Sequence, residues 1–428
     1  MDRTATRRQV IGGGLVMAAA SLVPAAAADF VLLGDRARPD DEAYWAGVAD
    51  NYYAVSRQVV GLEHGNFGTL AKPVLQAYQR NITRVNEQGS YYSRRSLSGD
   101  AERIRAKAAK LLGVGVDEIV FTRGATESLQ ALIGGYNRLR PGDAVLYADL
   151  DYDSMQTAMR WLKNRRGVES IAVAVPEPAS YQGLIDFYAA ALTAHPTVRL
   201  MLLTHVSHRT GLIMPVAEIV NMARARGVDV IVDSAHAWAH VDFDLPTLGA
   251  DFVGLTCHKW IGAPLGLGLA YIRRERVDQI DHFMGSEDYP EETDIRDRIH
   301  SGTSNFAALL ALEDALDFHI ALGPVAKAKR LRWLRDSWVE PLRGYGRLQM
   351  LTPADPRLGG GISSFRLAGA TSVTDNVRLA RTLLEQFNLF AVHRAGVAAG
   401  ACVRVTPNVF TPVQDIDRLV AALKVIGV

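Results

Sequence analysis

The sequence predicts an α/β fold: a large domain with a mainly parallel, seven-stranded sheet, followed by a smaller α+β C-terminal domain. Seven short apolar runs lie between residues 118 and 272, and helix-length segments separate most of them. Several of these runs are apolar without alternation, which is typical of parallel strands buried on both faces. From about residue 310 the pattern changes to long helices and then to short strands, which predicts the second domain.

The predicted strands of the large sheet follow one another in chain order. They are residues 118–122, 144–148, 170–175, 198–206, 228–233, 251–256 and 266–272. The last run follows its predecessor too closely for a crossover helix, so we expect it to be antiparallel. Residues 71–113 predict helices that end at Gly113. In the smaller domain, the predicted strands are residues 360–367, 390–396 and 402–406.

Composition and charge exclude several classes of protein. Among 428 residues, 48% are hydrophobic and 22% are charged, which is ordinary for a globular protein and unlike a disordered chain. The net charge of +1 gives no field that would favour nucleic acid or an anionic membrane as a partner. Only two cysteines occur, too few for a disulfide framework, and no CxxC zinc pattern is present.

The first 28 residues predict a Tat-type signal peptide. Arg7 and Arg8 form a twin arginine, residues 10–23 are apolar, and residues 25–28 are small. The apolar run is shorter than the roughly 20 residues that a membrane-spanning helix needs. We therefore expect export by the Tat machinery, a periplasmic location and no membrane association after cleavage.

The rest of the chain is divided by its patterns into three parts. We expect an N-terminal segment, residues 29–75, that packs on the small domain. The large domain is predicted for residues 76–315 and the small domain for residues 316–428.

The turn after the first strand has the character of a phosphate site. The strand at 118–122 runs into Gly124, Ala125 and Thr126, and a helix begins there. Free backbone N–H groups, the helix dipole and the Thr126 hydroxyl suit an anion. The alternative is that Thr126 serves only as an ordinary N-cap.

A carboxylate ends another apolar strand, in "VIVDSAHAWAHVDF". Asp233 lies at the carboxyl end of that strand, where open α/β sheets place their ligands. Such a carboxylate could pair with a protonated ring nitrogen of a cofactor. His236 follows three residues later, close enough to reach the same pocket. The alternative is an aspartate that caps a helix.

Lys259 follows the next strand, in "DFVGLTCHKW". Its amine is expected at the same sheet edge as Asp233, because one crossover separates the two strands. Desolvation and the neighbouring His258 would lower the lysine pKa and favour a Schiff base. A lone lysine after a strand is usually a surface residue, but three such features at three strand ends favour a reactive lysine.

Two rival interpretations come from other classes of protein. An exported metallohydrolase could use a His/Asp cluster, which comprises His205, His208, Asp233, His236 and His240. The spacing of His205 and His208 does not place them on one helix face, and a metal site does not explain Lys259. The other rival is a non-catalytic binding protein, which has no need of polar groups at successive strand ends.

Taken together, several motifs resemble those of a known family. "GATES", "DYDS", "HVSHRTGLIMPV", "VDSAHA", "GADFVGLTCHKWIGAPLGLG" and "SGTSN" occur in the order found in class V aminotransferases. These are fold-type-I pyridoxal phosphate (PLP) enzymes, related to isopenicillin N epimerase and to the cysteine desulfurases. The resemblance covers roughly residues 60–410 and is strongest to an exported, epimerase-like branch that includes a periplasmic pyoverdine-tailoring enzyme.

The resemblance implies a role for each matching residue. Lys259 would form a Schiff base with pyridoxal 5′-phosphate and shuttle the α-carbon proton, and Asp233 would pair with the pyridine nitrogen. Tyr152 would stack on the ring, at a position where the family often has His. The residues expected near the ring hydroxyl are His236 and His208, and those expected to hold the phosphate are Ala125, Thr126, Thr256 and His258. Arg404 would clamp the substrate carboxylate, and Thr303 would reach the phosphate of a neighbouring subunit, which implies a homodimer.

Two departures from the family pattern bear on the reaction. The family's "NHG" segment reads "LEHGNFG" here, so Glu63 and His64 replace the usual pair near the substrate. Neither Cys257 nor Cys402 lies on an evident mobile loop, which argues against desulfurase chemistry. We therefore expect a PLP enzyme that acts on an amino acid or peptidyl amino group, as an epimerase-like enzyme or an aminotransferase. A PLP-dependent C–S or β-eliminating lyase is the alternative.

Overall fold

The largest sheet in the described residues has seven strands. The computed structural model describes residues 31–284, 294–300 and 302–428. The predicted signal peptide, residues 1–28, lies outside the described residues.

Thirteen strands occur in the described residues. They are β1 (Val60–Gly61), β2 (Ile119–Thr122), β3 (Ala144–Ala148), β4 (Glu169–Val173), β5 (Val198–Thr204), β6 (Asp229–Asp233), β7 (Phe252–Thr256), β8 (Gly268–Ile272), β9 (Leu348–Met350), β10 (Ser363–Leu367), β11 (Leu389–Phe390), β12 (Val392–Arg394) and β13 (Cys402–Val405).

The same part of the chain contains thirteen α-helices. They are α1 (Glu42–Tyr52), α2 (Lys72–Arg95), α3 (Leu97–Leu112), α4 (Ala125–Gly135), α5 (Asp153–Arg166), α6 (Tyr181–Ala194), α7 (Val216–Arg224), α8 (Leu245–Leu248), α9 (Ile295–Arg298), α10 (Phe306–Leu322), α11 (Pro324–Val339), α12 (Val373–Phe387) and α13 (Val413–Ile426). None of these helices is long and apolar enough to cross a membrane.

The large sheet has seven strands in the order β2-β8-β7-β6-β5-β3-β4. The pairs β3–β4, β3–β5, β5–β6 and β6–β7 are parallel, and β8 is antiparallel to both of its neighbours. The predicted α/β fold, its seven strands and the antiparallel last strand are thereby confirmed. Strands β3, β7 and β8 are buried along their whole length, which explains why their sequences are apolar without alternation.

Helix α4 lies directly on β7 because Gly254 has no side chain. A Cβ atom at Gly254 would lie 2.6 Å from Cγ of Leu129, so any larger residue would push the helix away from the strand. This close approach brings the first turn of α4 to the carboxyl edge of the sheet.

A second, four-stranded antiparallel sheet has the order β12-β13-β10-β9. The short strand β9 was not predicted, because three residues show too little periodicity. Strand β1 pairs in parallel with β11, and Glu63 forms a bridge with Thr406, so the chain just after residue 60 runs beside this sheet. The predicted domain limit between residues 315 and 316 falls within α10.

Candidate active site

The carboxyl ends of β6 and β7 and the start of α4 meet at one edge of the large sheet. Asp233 is the last residue of β6, and Thr256 is the last residue of β7. The Thr256 hydroxyl accepts a hydrogen bond of 3.3 Å from the backbone N–H of Ala125, which ties β7 to the helix. This edge is where open α/β sheets bind their ligands.

A cavity of about 650 Å³ opens at this edge. Its volume lies in the range of small-molecule and cofactor sites, about 300–1,000 Å³. It brings together the sequence-predicted residues Ala125, Thr126, Tyr152, His208, Asp233, His236, Thr256, His258, Lys259 and Arg404. Thr303 is the exception, since it is exposed and does not line this cavity.

Lys259 lies on the cavity wall, with its amine beside a histidine. Its Nζ is 2.9 Å from Nε2 of His236, and Nε1 of Trp260 is 3.4 Å from Nδ1 of the same ring. An indole N–H can only donate, so Nδ1 of His236 must accept, and the neutral imidazole carries its proton on Nε2. That proton points at the lone pair of Lys259, an arrangement that requires the amine to be neutral.

Burial and the surrounding charges shift Lys259 toward this neutral state. Burial, together with the nearby charges of Arg404 and Arg394 and against the opposing effect of Asp233, lowers the pKa of Lys259 to about 8. Burial also lowers the pKa of His236 well below its ordinary value. A neutral amine is the form of lysine that attacks an aldehyde, so the site prepares Lys259 for nucleophilic chemistry.

Asp233 is a buried carboxylate at the floor of the cavity. It is 6% exposed, and its Oδ1 accepts a 2.9 Å hydrogen bond from the backbone N–H of Ala235. Burial raises the pKa of this carboxyl above its ordinary value. A protonated ring nitrogen placed beside it would offset that cost, because an opposite charge stabilises the carboxylate.

The turn between β2 and α4 forms a cradle with room for an anion. Gly124, with a φ of 154°, is the N-cap of α4, so the alternative of Thr126 as an N-cap is wrong. A Cβ atom at Gly268 would lie 2.5 Å from Cα of Gly124, so only glycine lets β8 approach the turn this closely. The turn and the α4 dipole therefore fit a phosphate group.

His258 stands next to this turn. Its Nδ1 lies 2.9 Å from the carbonyl oxygen of Leu267, and a carbonyl can only accept, so Nδ1 carries a proton. Burial lowers the pKa of His258 below its ordinary value. A phosphate dianion near Nε2 would oppose that shift and allow a second proton there.

Tyr152 and His208 form an aromatic pair on the cavity wall. Their ring centroids are 5.3 Å apart with an interplanar angle of 88°, an edge-to-face contact. Tyr152 is 40% exposed at the start of α5, so its ring is available to a planar ligand.

Two arginines, Arg394 and Arg404, line the far end of the cavity. Only Arg404 was predicted from the sequence. Arg404 is 1% exposed, and its Nη1 donates a 2.6 Å hydrogen bond to the carbonyl oxygen of His208. Nη2 of Arg394 lies 3.0 Å from Oε1 of Glu63, and Nη2 of Arg404 contacts the same oxygen. Residues 390–396 were predicted as a strand, but nothing in that run indicated that the Arg394 side chain lines the cavity. The signal that could have pointed to it is the direct pairing of its strand, β12, with β13, which carries Arg404.

The histidines of the proposed metal cluster have other partners. Nδ1 of His205 lies 3.2 Å from the Ser234 hydroxyl, and Nδ1 of His240 lies 2.8 Å from the His236 carbonyl oxygen. In the residues that the structure describes, no group of three or more His, Cys, Asp or Glu side chains is arranged to hold a metal ion.

Comparison with known proteins gives a consistent result. The model of the family Aminotransferase class-V matches residues 69–405. Isopenicillin N epimerase from Streptomyces clavuligerus is 30% identical over 380 residues, which cover 85% of this chain and 94% of that relative. A cysteine desulfurase from Serratia proteamaculans is 25% identical over 350 residues, covering 76% of this chain and 82% of its own.

The solved structures agree on the fold. The cysteine desulfurase CsdA from Escherichia coli superposes with a TM-score of 0.74 at 21% identity, over 89% of this chain and 97% of CsdA. The predicted resemblance, fold type and cofactor are thereby confirmed. Because the family model spans most of the chain, this protein belongs to the class V aminotransferase family, whose cofactor is pyridoxal 5′-phosphate.

Proposed function

We propose that this protein moves a proton at the α-carbon of an amino acid or peptidyl substrate, as an epimerase-like enzyme or an aminotransferase. The observation that carries this proposal is the buried amine of Lys259, which lies 2.9 Å from His236 in the cavity that also contains Asp233. The relation to isopenicillin N epimerase, 30% identical over 85% of this chain, supports the epimerase-like reaction.

Pyridoxal phosphate, when bound, supplies an electron sink that acidifies the α-carbon of an attached amino acid. The chain's own residues would do the remaining work. Thr126, Thr256 and the turn at Gly124 would hold the phosphate, and Asp233 would keep the ring nitrogen protonated. Tyr152 would cover the ring, and Lys259 would take the proton from the α-carbon and return it.

The two cysteines argue against a desulfurase. Both Cys257 and Cys402 are fully buried, and neither lines the cavity. Burial raises the pKa of Cys257 far above its ordinary value and that of Cys402 to about 11. A desulfurase needs an accessible thiolate that accepts sulfur, and a thiol of raised pKa in the interior does not provide one.

The experiment follows hydrogen exchange at the α-carbon in deuterated water, with and without a 2-oxo acid. Exchange with racemisation in the absence of an oxo acid supports epimerisation, whereas a strict requirement for an oxo acid supports amino transfer. Release of ammonia or sulfide would indicate the lyase alternative. Lys259→Ala should lose both the yellow absorption of the lysine-bound cofactor and the exchange, and a protein that keeps the exchange would contradict the proposal.

We also propose that the chain is exported by the Tat route and works as a homodimer in the periplasm. The twin arginine Arg7–Arg8 supports export, and the exposed position of Thr303 leaves it accessible to a second copy. Replacing both arginines with lysine should retain the protein in the cytoplasm. Mixed dimers of Lys259→Ala and Thr303→Ala chains should regain activity if Thr303 serves the neighbouring site.

A further inference from the structure

Three charged side chains form a cluster at one end of the cavity. Arg394 and Arg404 line the cavity, and Glu63 contacts both of them from outside its lining. Oε1 of Glu63 accepts from both guanidinium groups, and Oε2 lies 3.3 Å from the hydroxyl of Thr406. The side chain of Glu63 is only 8% exposed, so its charge is held in place beside the two arginines.

The charges of this cluster do not balance. Two guanidinium groups and one carboxylate leave one uncompensated positive charge facing the cavity. The Nε atoms of Arg394 and Arg404 are buried and have no hydrogen-bond partner within the described residues, so the cluster also has unused donors. One further carboxylate in the cavity would balance this charge.

A second carboxylate would find no cation elsewhere on the described part of the cavity wall. Arg123 is paired with Glu127 at 2.6 Å. Burial lowers the pKa of His208 and His236 well below the ordinary value, so these two rings are neutral, and His258 lies beside the turn that would hold the cofactor phosphate. The amine of Lys259 is engaged by the cofactor in the proposed function.

We propose that Glu63 determines substrate specificity by restricting the site to amino acids with a single carboxylate. This inference rests on the proposed function, because it assumes that an amino acid binds with its carboxylate at Arg404. The substrate α-carboxylate balances the one free positive charge, and the side chain of the preferred substrate is uncharged. An acidic side chain places a second negative charge near Glu63, where like charges repel.

The experiment compares L-asparagine with L-aspartate, which have the same shape and differ by one carboxylate. Dissociation constants come from the change in cofactor absorption when each amino acid is added to the holoenzyme. We expect wild type to bind asparagine at least about tenfold more tightly than aspartate. Asparaginamide, which has no carboxylate, should bind weakly to every variant.

Variants of the cluster test the charge count directly. Glu63→Gln raises the cluster charge by one, so aspartate should bind as tightly as asparagine or more tightly. Arg394→Gln lowers the charge by one, so both amino acids should bind about tenfold less tightly or worse. The double variant Glu63→Gln/Arg394→Gln has the wild-type charge and should recover the preference for asparagine. Glu63→Asp keeps the charge and should keep that preference.

The outcomes separate this inference from the function on which it rests. A ratio of the two constants that is unchanged in Glu63→Gln, or a double variant that behaves like Glu63→Gln, would overturn the specificity role alone. If Glu63→Gln does not retain the cofactor, the Arg394→Gln variant provides the test. Unchanged binding of asparagine by Arg394→Gln would then overturn the specificity role of the Glu63 cluster. A wild-type holoenzyme whose absorption responds to no amino acid and no aminoacyl peptide overturns the proposed function as well.

Discussion

The indole of Trp260 fixes the proton of His236: its Nε1 lies 3.4 Å from Nδ1, which leaves the imidazole proton on Nε2, 2.9 Å from the amine of Lys259. Trp260 thus acts on Lys259, the residue before it, through a histidine that lies three residues after the neighbouring strand β6. The backbone of Trp260 has its own hydrogen bond, because Nζ of Lys327 donates to the carbonyl oxygen of Trp260.

Addition of pyridoxal phosphate to the apoprotein should depend on pH through Lys259. Only the neutral amine reacts, and the pKa of Lys259 is lowered to about 8. The rate should therefore rise about tenfold per pH unit below that value and level off above it. Stopped-flow absorption across pH 6–10 measures the rate, and a midpoint near the ordinary lysine value would contradict the neutral amine.

Trp260→Phe should shift the midpoint of that pH profile to higher pH. The variant keeps an aromatic ring but removes the N–H, so His236 is free to carry its proton on Nδ1 and no longer favours the neutral amine. We expect cofactor addition at pH 7 to slow several-fold, in the range of one lost hydrogen bond of about 1 kcal/mol. Trp161→Phe, at a position 48% exposed, is the matched control and should leave the profile unchanged. Identical profiles for both variants would refute the role of Trp260.

Asp233→Asn should separate cofactor binding from chemistry. The amide keeps the size of the side chain but cannot stabilise a protonated ring nitrogen. We expect the yellow holoenzyme to form while α-carbon exchange falls on the order of 10²-fold, as for loss of one preorganised charge. Asp242→Asn, at an exposed position, provides the control. Exchange within twofold of wild type would show that Asp233 is not the ring partner.

Gly268→Ala should damage the phosphate turn. The added methyl group would lie 2.5 Å from Cα of Gly124, so one of the two backbone segments would have to shift. We expect a loss of about 1–3 kcal/mol of stability, together with weaker cofactor retention. Gly99→Ala meets no atom within 4 Å and should be neutral or stabilising by up to about 1 kcal/mol. Thermal unfolding and cofactor release during dialysis measure the two effects.

Lys327→Met should make the free energy of unfolding depend less on pH between pH 7 and 10.5. Burial lowers the pKa of Lys327 to about 7, so the unfolded chain binds a proton between pH 7 and 10.5 that the folded chain does not. The wild-type free energy of unfolding therefore rises with pH across this window, by at most about 1.4 kcal/mol per unit, and the cost is fully present below pH 7. The methionine variant lacks this contribution. Denaturant unfolding of the holoenzyme at pH 7 and pH 9 measures it, with the exposed Lys329→Met as control.

The strand ends were predictable from sequence because burial on both faces leaves a strong local signal. Runs such as residues 251–256 are apolar and end abruptly in polar groups, so the order of the strands and the positions of Asp233 and Lys259 could be expected. The antiparallel β8 followed from the length of a connection alone. The three-residue strand β9 gave no such signal, because periodicity needs more residues to be recognised.

The sequence by itself determined the fold class, the strand that presents Lys259, the neighbouring Asp233 and the glycine turn of α4, since each of these depends on residues close together in the chain. Only the tertiary structure decided the environment that gives them their chemistry. Glu63 meets Arg394 and Arg404 across 331 and 341 residues, and no local pattern encodes a charge balance between such distant positions. The contact of Trp260 with His236 likewise depends on the packing of two strand ends, which fixes a proton that the sequence leaves free to occupy either nitrogen.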